Sequence, residues 1–358
     1  MTMINRRKTR SVMVGDIAVG GEAPISVQSM TTSKTEDIAA TLREIKRLEE
    51  AGCQIIRVTV PNEEAARALK TYKAEMTVPL VADIHFNYRM ALMAIEAGVD
   101  KIRINPGNIG TKTRVKEVLD RCKERGIPIR IGVNAGSLEK DLIEKYGYPT
   151  PEAMVESAQR HIETAEDADF QDIIVSLKAS TVQLMMDAYT LFSEKYDYPL
   201  HLGVTEAGPT KSGTVKSAIG IGGLLSHGIG DTIRVSLTDD PVQEVKVGFE
   251  ILKSLGLAAR GVTIVACPTC GRLEVDLFKI AGEVEAALEN SNKTMKIALM
   301  GCAVNGPGEA ADADIGFAFG KGGGLLYRNG KKVGRIPEDD ATEVVLREVA
   351  NWEPPETK

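Results

Sequence analysis

The stretch from Leu80 to Pro106, LVADIHFNYRMALMAIEAGVDKIRINP, contains the repeating unit of the chain. LVADIH and KIRINP are short runs rich in β-branched residues that finish on polar side chains, which predicts two strands. The segment between them has a helical pattern and closes at Gly98, where a residue tolerant of left-handed backbone ends a helix cheaply. The same alternation recurs on both sides, with ISVQSM from Ile25, IIRVTV from Ile55, IRIGVN from Ile129, IIVSLK from Ile173, LHLGVTE from Leu200 and TIRVSL from Thr232. Segments such as EDIAATLREIKRLEEAG after Thr35 and PEAMVESAQRHIETAEDAD after Thr150 space apolar residues as amphipathic helices do, and Gly52 and Gly126 end helices as Gly98 does. Eight such units close a parallel barrel, whereas a doubly wound sheet usually stops at about five or six strands. The expected fold is α/β, an N-terminal (β/α)8 TIM-like barrel over residues 1–260 followed by a small α+β domain over 261–358.

Composition agrees with an enzyme of this kind. Of the 358 residues, 43% are hydrophobic and 26% charged, enough apolar surface for a core. The net charge of −6 offers no general attraction to nucleic acid. The one dense basic run, MINRRKTR, reads as a solvated N-terminus. No apolar run approaches the ~18 residues of a membrane span, and SVMVGDIAVGGEAP is too broken for a signal-peptide core. The expected location is cytoplasmic, with no nucleic-acid or membrane partner. Five cysteines are too few for a disulfide scaffold and point to metal ligation or burial. Cys53, at a helix-to-strand turn, and Cys122, on an amphipathic helix, read as buried apolar groups.

In a parallel barrel, function gathers at the C-terminal ends of the strands. Those ends read Gln28 and Ser29, Arg57 and Thr59, Asp83 and His85, Arg103 and Asn105, Arg130 and Asn134, Ser176 and Lys178, Thr205 and Glu206, and Arg234 and Ser236. Any one of these cations could simply solvate the rim. Together, Arg57, Arg103, Arg130, Lys178 and Arg234 form a positive funnel suited to an anion with more than one phosphate. After the seventh strand, EAGPTKSGTVKSAIGIGGLL places Lys211 and Ser212 at a helix start, where backbone N–H groups and the helix dipole could cradle phosphate. A Gly-Pro turn with an N-cap serine accounts for the same residues. Glu206, a lone carboxylate in a cationic mouth, is the candidate acid/base, with Asp83 and His85 as second choices.

The pattern changes near Val262. TIVACPTCGR carries Cys267 and Cys270, and KIALMG leads into Cys302, 32 positions after Cys270. Both sites follow apolar runs, so both sit on turns leaving strands. A C-x-x-C pair alone fits a redox dithiol, half a zinc site or half a cluster. The third cysteine favours a metal, and with no histidine and no fourth cysteine nearby, three thiolates suit an iron-sulfur cluster better than zinc. Glu309, seven residues after Cys302 in NGPGE, could complete the set or serve as a surface acid. The rest reads as strands, a hairpin at Asn329-Gly330 and a closing helix.

VQSMT, ADIHF, RINPGNIG, GVTEAG, ACPTCGR and NGPGE, in this order and spacing, resemble the bacterial 4-hydroxy-3-methylbut-2-enyl diphosphate synthase family over nearly the whole chain. The resemblance implies a two-domain iron-sulfur oxidoreductase of the methylerythritol phosphate pathway. Its substrate would be 2-C-methyl-D-erythritol 2,4-cyclodiphosphate, opened by two-electron reduction and loss of water. It implies one 4Fe-4S cluster per chain on Cys267, Cys270, Cys302 and Glu309, and a catalytic role for Glu206. Substrate binding falls on Arg57, Arg103, Asn105, Arg130, Asn134, Lys178, Lys211, Arg234 and Ser236. Reduced ferredoxin or flavodoxin would supply electrons, and the working form would be a head-to-tail homodimer. Two rivals are a cluster-free barrel transferase resembling dihydropteroate synthase, and a non-catalytic protein whose cysteines hold structural zinc.

Overall fold

The structure is a computed structural model describing residues 4–104, 112–257, 261–289, 291, 293–337 and 340–354. It divides into two compact units, Met1–Leu257 and Ala258–Lys358.

The first unit is a (β/α)8 barrel preceded by a hairpin. The hairpin strands β1 (Val12–Val14) and β2 (Ile17–Val19) pair antiparallel around Gly15, whose φ of 59° suits glycine. The barrel strands are β3 (Ser26–Met30), β4 (Ile55–Thr59), β5 (Leu80–Asp83), β6 (Lys101–Ile104), β7 (Ile129–Asn134), β8 (Ile173–Lys178), β9 (His201–Leu202) and β10 (Thr232–Ile233). Every neighbouring pair is parallel, in the order β8-β7-β6-β5-β4-β3-β10-β9. A parallel bridge between Val175 and Leu200 joins the two ends, supported by the Val175 N–H donating to Pro199 O at 2.9 Å.

The last two strands are much shorter than the runs LHLGVTE and TIRVSL suggest. Gly203 is the reason. A Cβ there would stand 2.7 Å from Arg234 O and 2.8 Å from Lys178 Nζ, so the chain is approached too closely at this point for any residue but glycine. Single bonds continue the pairing beyond the two strands, with the Arg234 N–H donating to Leu202 O at 2.9 Å and the Thr205 N–H to Ala179 O at 3.1 Å.

The helices begin where side chains cap them. Asp37 accepts from the Ala40 N–H ahead of Ile38–Glu50, and Thr150 accepts from the Ala153 N–H ahead of Pro151–Glu166. Gly52, Gly98 and Gly126 all take positive φ just past helices. Cys53 and Cys122 are buried, and burial pushes each thiol up to about 12, as suits small apolar side chains.

At the barrel floor Ile55, Val81 and Ile174 pack against Val12, Val14 and Val19, so the hairpin plugs the N-terminal end. The basic run ahead of it is not a solvated tail. Arg6 pairs with Asp231 at 3.1 Å, Arg7 donates to the Tyr196 and Tyr198 carbonyls, and Arg10 pairs with Asp197 at 2.7 Å while lying over the Tyr198 ring. A guanidinium presents several donors at once and can bind the carbonyls exposed where a helix ends, which charge counting along a sequence does not reveal.

The second unit is a small α+β domain. Its strands β11 (Val262–Ala266), β12 (Met295–Met300), β13 (Ile315–Gly320), β14 (Gly323–Arg328) and β15 (Lys331–Ile336) lie in chain order. The first three are parallel and the last two add antiparallel. Asn329 and Gly330 both take positive φ, 47° and 78°, as a two-residue hairpin turn requires. Val284 of the helix Leu277–Leu288 and Val345 of the helix Ala341–Ala350 bury against Ile297, Leu299, Phe317 and Phe319 of the sheet.

Candidate active site and candidate cluster site

Because strand side chains alternate between faces, every second residue of a barrel strand points inward. Twelve such residues line one cavity of about 250 Å³ at the C-terminal ends of the strands: Met30, Arg57, Thr59, Asp83, His85, Arg103, Arg130, Asn134, Lys178, Thr205, Arg234 and Ser236. Seven of the sequence-derived binding candidates are thus brought together. Ser29 is not among them, because its pleat position turns it outward to donate to Glu244 Oε2 at 2.8 Å. Asn105 lies outside the described residues.

The electrostatics are one-sided. Among the described residues five cations line the cavity, and Asp83 is the one carboxylate that does. Asp83 bridges Arg103 Nη1 at 3.0 Å and Arg57 Nε at 3.5 Å. Arg234 is held from outside the cavity lining by Glu244, at 3.0 and 3.2 Å. Arg130 donates to Ser176 Oγ at 3.0 Å; among the described residues its Nε and Nη2 have no partner and no acid pairs with Lys178. Burial, reinforced by the neighbouring cations, holds the Arg130 and Lys178 side chains well below their ordinary pKa values and brings Arg57 to about 10. A cavity that forces like charges together this way is completed by a multivalent anion.

Burial alone would raise the Asp83 carboxyl, but Arg57 and Arg103, helped by His85 and Arg130, outweigh it and hold the group at about 2. A depressed folded-state value means that the stabilisation is present above the ordinary carboxylate range and is lost as pH falls through about 2. Asp83→Asn is therefore expected to cost about 3 kcal/mol at neutral pH. It should also flatten the decline in stability between about pH 4 and about pH 2, measurable by urea unfolding across that window.

Two other candidates stand apart from the lining. Glu206, just past β9, is exposed and holds a left-handed φ of 54°, an uncommon conformation for a residue with a side chain. Lys211 is exposed in the first turn of the helix Thr210–Ser226. That helix starts after Pro209, not at a serine cap; Ser212 lies inside it and donates to Pro209 O at 3.3 Å, while Thr210 donates to Asp239. Sequence reading passed over Met30 as a lining residue, and also the interior residues Lys101 and His201. Their only signal is strand parity, two residues below Arg103 and four below Thr205.

In the second unit, Cys267 follows β11 and Cys302 follows β12, two adjacent parallel strands. The segment that follows β11 is tied down by three backbone bonds, Cys267 N–H to Leu299 O at 3.0 Å, Leu273 N–H to Cys270 O at 3.0 Å and Glu274 N–H to Gly301 O at 3.1 Å. Cys302 is buried, Cys267 half-buried and Cys270 exposed. Hydrogen bonding from the Arg272 backbone, and the charge of Arg272, lower the Cys270 thiol toward the thiolate that a metal requires. Glu309 is exposed in the first turn of the short helix Gly306–Ala311. The Gly306 site is crowded by Ala318 and Met300, which brings the turn close to the sheet. In donor type, and with Cys267 and Cys302 following adjacent parallel strands at the same end of the sheet, three thiols and a carboxylate fit an iron-sulfur cluster. Among the described residues no three His, Cys, Asp or Glu side chains are already drawn into metal-holding reach.

Two family descriptions match the chain, the GcpE TIM-barrel domain over residues 9–249 and the GcpE protein C-terminal domain over 263–351. The chain belongs to the GcpE family. Among curated GcpE-like relatives, the 4-hydroxy-3-methylbut-2-en-1-yl diphosphate synthase (flavodoxin) of Exiguobacterium sibiricum is 58% identical over 97% of this chain and 94% of its own length. The protein of the same name from Bacillus cytotoxicus is 58% identical over 96% of this chain and 94% of its own length. Among solved structures, Yersinia pestis dihydropteroate synthase aligns with 69% of this GcpE chain and 97% of its own, with a TM-score of 0.51 and 14% identity, a likeness of barrel fold alone.

Proposed function

We infer that the chain is a 4-hydroxy-3-methylbut-2-en-1-yl diphosphate synthase. It opens 2-C-methyl-D-erythritol 2,4-cyclodiphosphate with two electrons and loss of water to the linear allylic diphosphate, a step of the methylerythritol phosphate route to isoprenoids. The observation that carries this reading is the 58% identity over 97% of the chain to a curated enzyme of that name. The surplus of cations in the barrel cavity supports it, since the substrate carries two linked phosphates.

In this reading Arg57, Arg103, Arg130, Lys178 and Arg234 bind and orient the diphosphate, and Asn105, Asn134 and Ser236 hydrogen-bond the rest of the substrate. Lys211 adds a charge at a helix N-terminus, where anions are favoured. Glu206 delivers the proton that lets the hydroxyl leave as water. Its left-handed backbone is the kind of local strain that a working site retains. Cys267, Cys270, Cys302 and Glu309 would hold one 4Fe-4S cluster per chain. Such a cluster would supply the electrons, with reduced flavodoxin, the donor in the relatives' names, or ferredoxin as their source. The enzyme works in the cytoplasm as a head-to-tail homodimer.

The test is anaerobic turnover of the cyclic diphosphate by the cluster-loaded chain with reduced flavodoxin. No product from protein of full iron and sulfide content would sink the assignment. The dimer is tested by mixing. Glu206→Gln and Cys270→Ser chains, each inactive alone, should recover about a quarter of wild-type activity after subunit exchange, because half the dimers then hold one intact pairing. No recovery in verified mixed dimers would refute the head-to-tail arrangement.

A further inference from the structure

Beneath the cavity lies a second polar tier. Lys101 on β6 is wholly buried, two residues below Arg103 and so about 7 Å deeper along the strand. Its amine donates to Gln28 Oε1 at 3.3 Å, its one hydrogen bond among the described residues. The charged groups it faces most strongly are Arg130 and Arg57, both cations. The carboxylates of this region are committed elsewhere, Asp83 to Arg57 and Arg103, and Glu244 to Arg234. Gln28 Nε2, Arg130 Nε and Nη2, and both ring nitrogens of the buried His201 have no hydrogen-bond partner among the described residues.

A lysine buried without an acid, among orphaned donors, costs the fold free energy. Its loss should therefore leave the fold no weaker, and a stability role does not account for it. We propose that Lys101 is a positioning residue of the anion site, which raises the potential of the cavity floor and holds Arg130 toward the diphosphate without itself touching substrate. Burial, with Arg130 and Arg57 beside it, lowers the proton affinity of the amine, and an anion bound above favours the charged form, which acts back on that anion in a site shielded from salt. The inference rests on reading the cavity as a diphosphate site and extends that site by one tier.

The experiment uses the full chain, inorganic diphosphate as probe, titration calorimetry for affinity and thermal melting for stability. Lys101→Met removes the amine. Gln28→Glu keeps it but places a carboxylate against it. Both variants are expected to bind diphosphate about tenfold more weakly or worse and to melt no lower than wild type. In the loaded enzyme, KM for the cyclic diphosphate should rise by a similar factor while kcat changes little. Unchanged affinity in both, or melting well below wild type in both, overturns the proposal. Wild-type protein that fails to bind diphosphate instead removes the diphosphate reading of the cavity, and the proposal with it.

Discussion

Cys270→Ser is expected to abolish turnover and strip the chain of iron while leaving the fold intact. The wild-type chain, purified without air, should carry about four irons and four acid-labile sulfides with a broad absorption near 400 nm. Cys270 is exposed and belongs to neither unit's core, so its replacement removes a ligand without opening a cavity. Far-ultraviolet circular dichroism should match wild type, and melting should match that of the wild-type chain freed of its iron. Stoichiometric zinc without sulfide in the wild-type chain would restore the reading of the cysteines as a structural metal site. Activity that survived complete removal of iron would favour a cluster-free transferase on the same barrel.

Glu206→Gln should lower kcat by about 10²- to 10⁴-fold with little change in KM. The substitution preserves shape and hydrogen-bonding length, and glutamine meets the same backbone requirement at φ 54° as glutamate does. What disappears is the exchangeable proton. Because Glu206 does not line the cavity that gathers the cations, substrate affinity should be nearly untouched. A glutamine variant with normal kcat would remove this residue from the proton step.

The barrel was readable because its outward-facing strand residues are β-branched and its helices end at glycines, signals that survive in one dimension. The ends of β9 and β10 were not, because the crowding at Gly203 depends on how near Arg234 and Lys178 come, and that proximity spans tens of residues of sequence. The cations converging on the mouth could be found by strand counting. Their depth could not, since Arg130 and Lys178 look like rim residues until the pleat shows them buried. Lys101 was hidden for the same reason, as a charged residue at the start of a strand normally faces water. The two cysteine loops could be placed at strand ends from their apolar approaches, whereas the adjacency of β11 and β12 is a property of the sheet order.

The arginines before the hairpin also set a timetable for synthesis. Arg10 needs Asp197, and Arg6 needs Asp231 next to the last barrel strand, so these arginines leave the ribosome long before the partners that lie near the end of the barrel. At ordinary elongation rates that interval is roughly 10 to 50 seconds. For much of it, the apolar faces of Val12, Val14 and Val19 have only part of their floor, since Ile174 follows Ile55 and Val81 late, and the growing chain depends on chaperones or on fast docking of its early strand-helix units to keep them from aggregating.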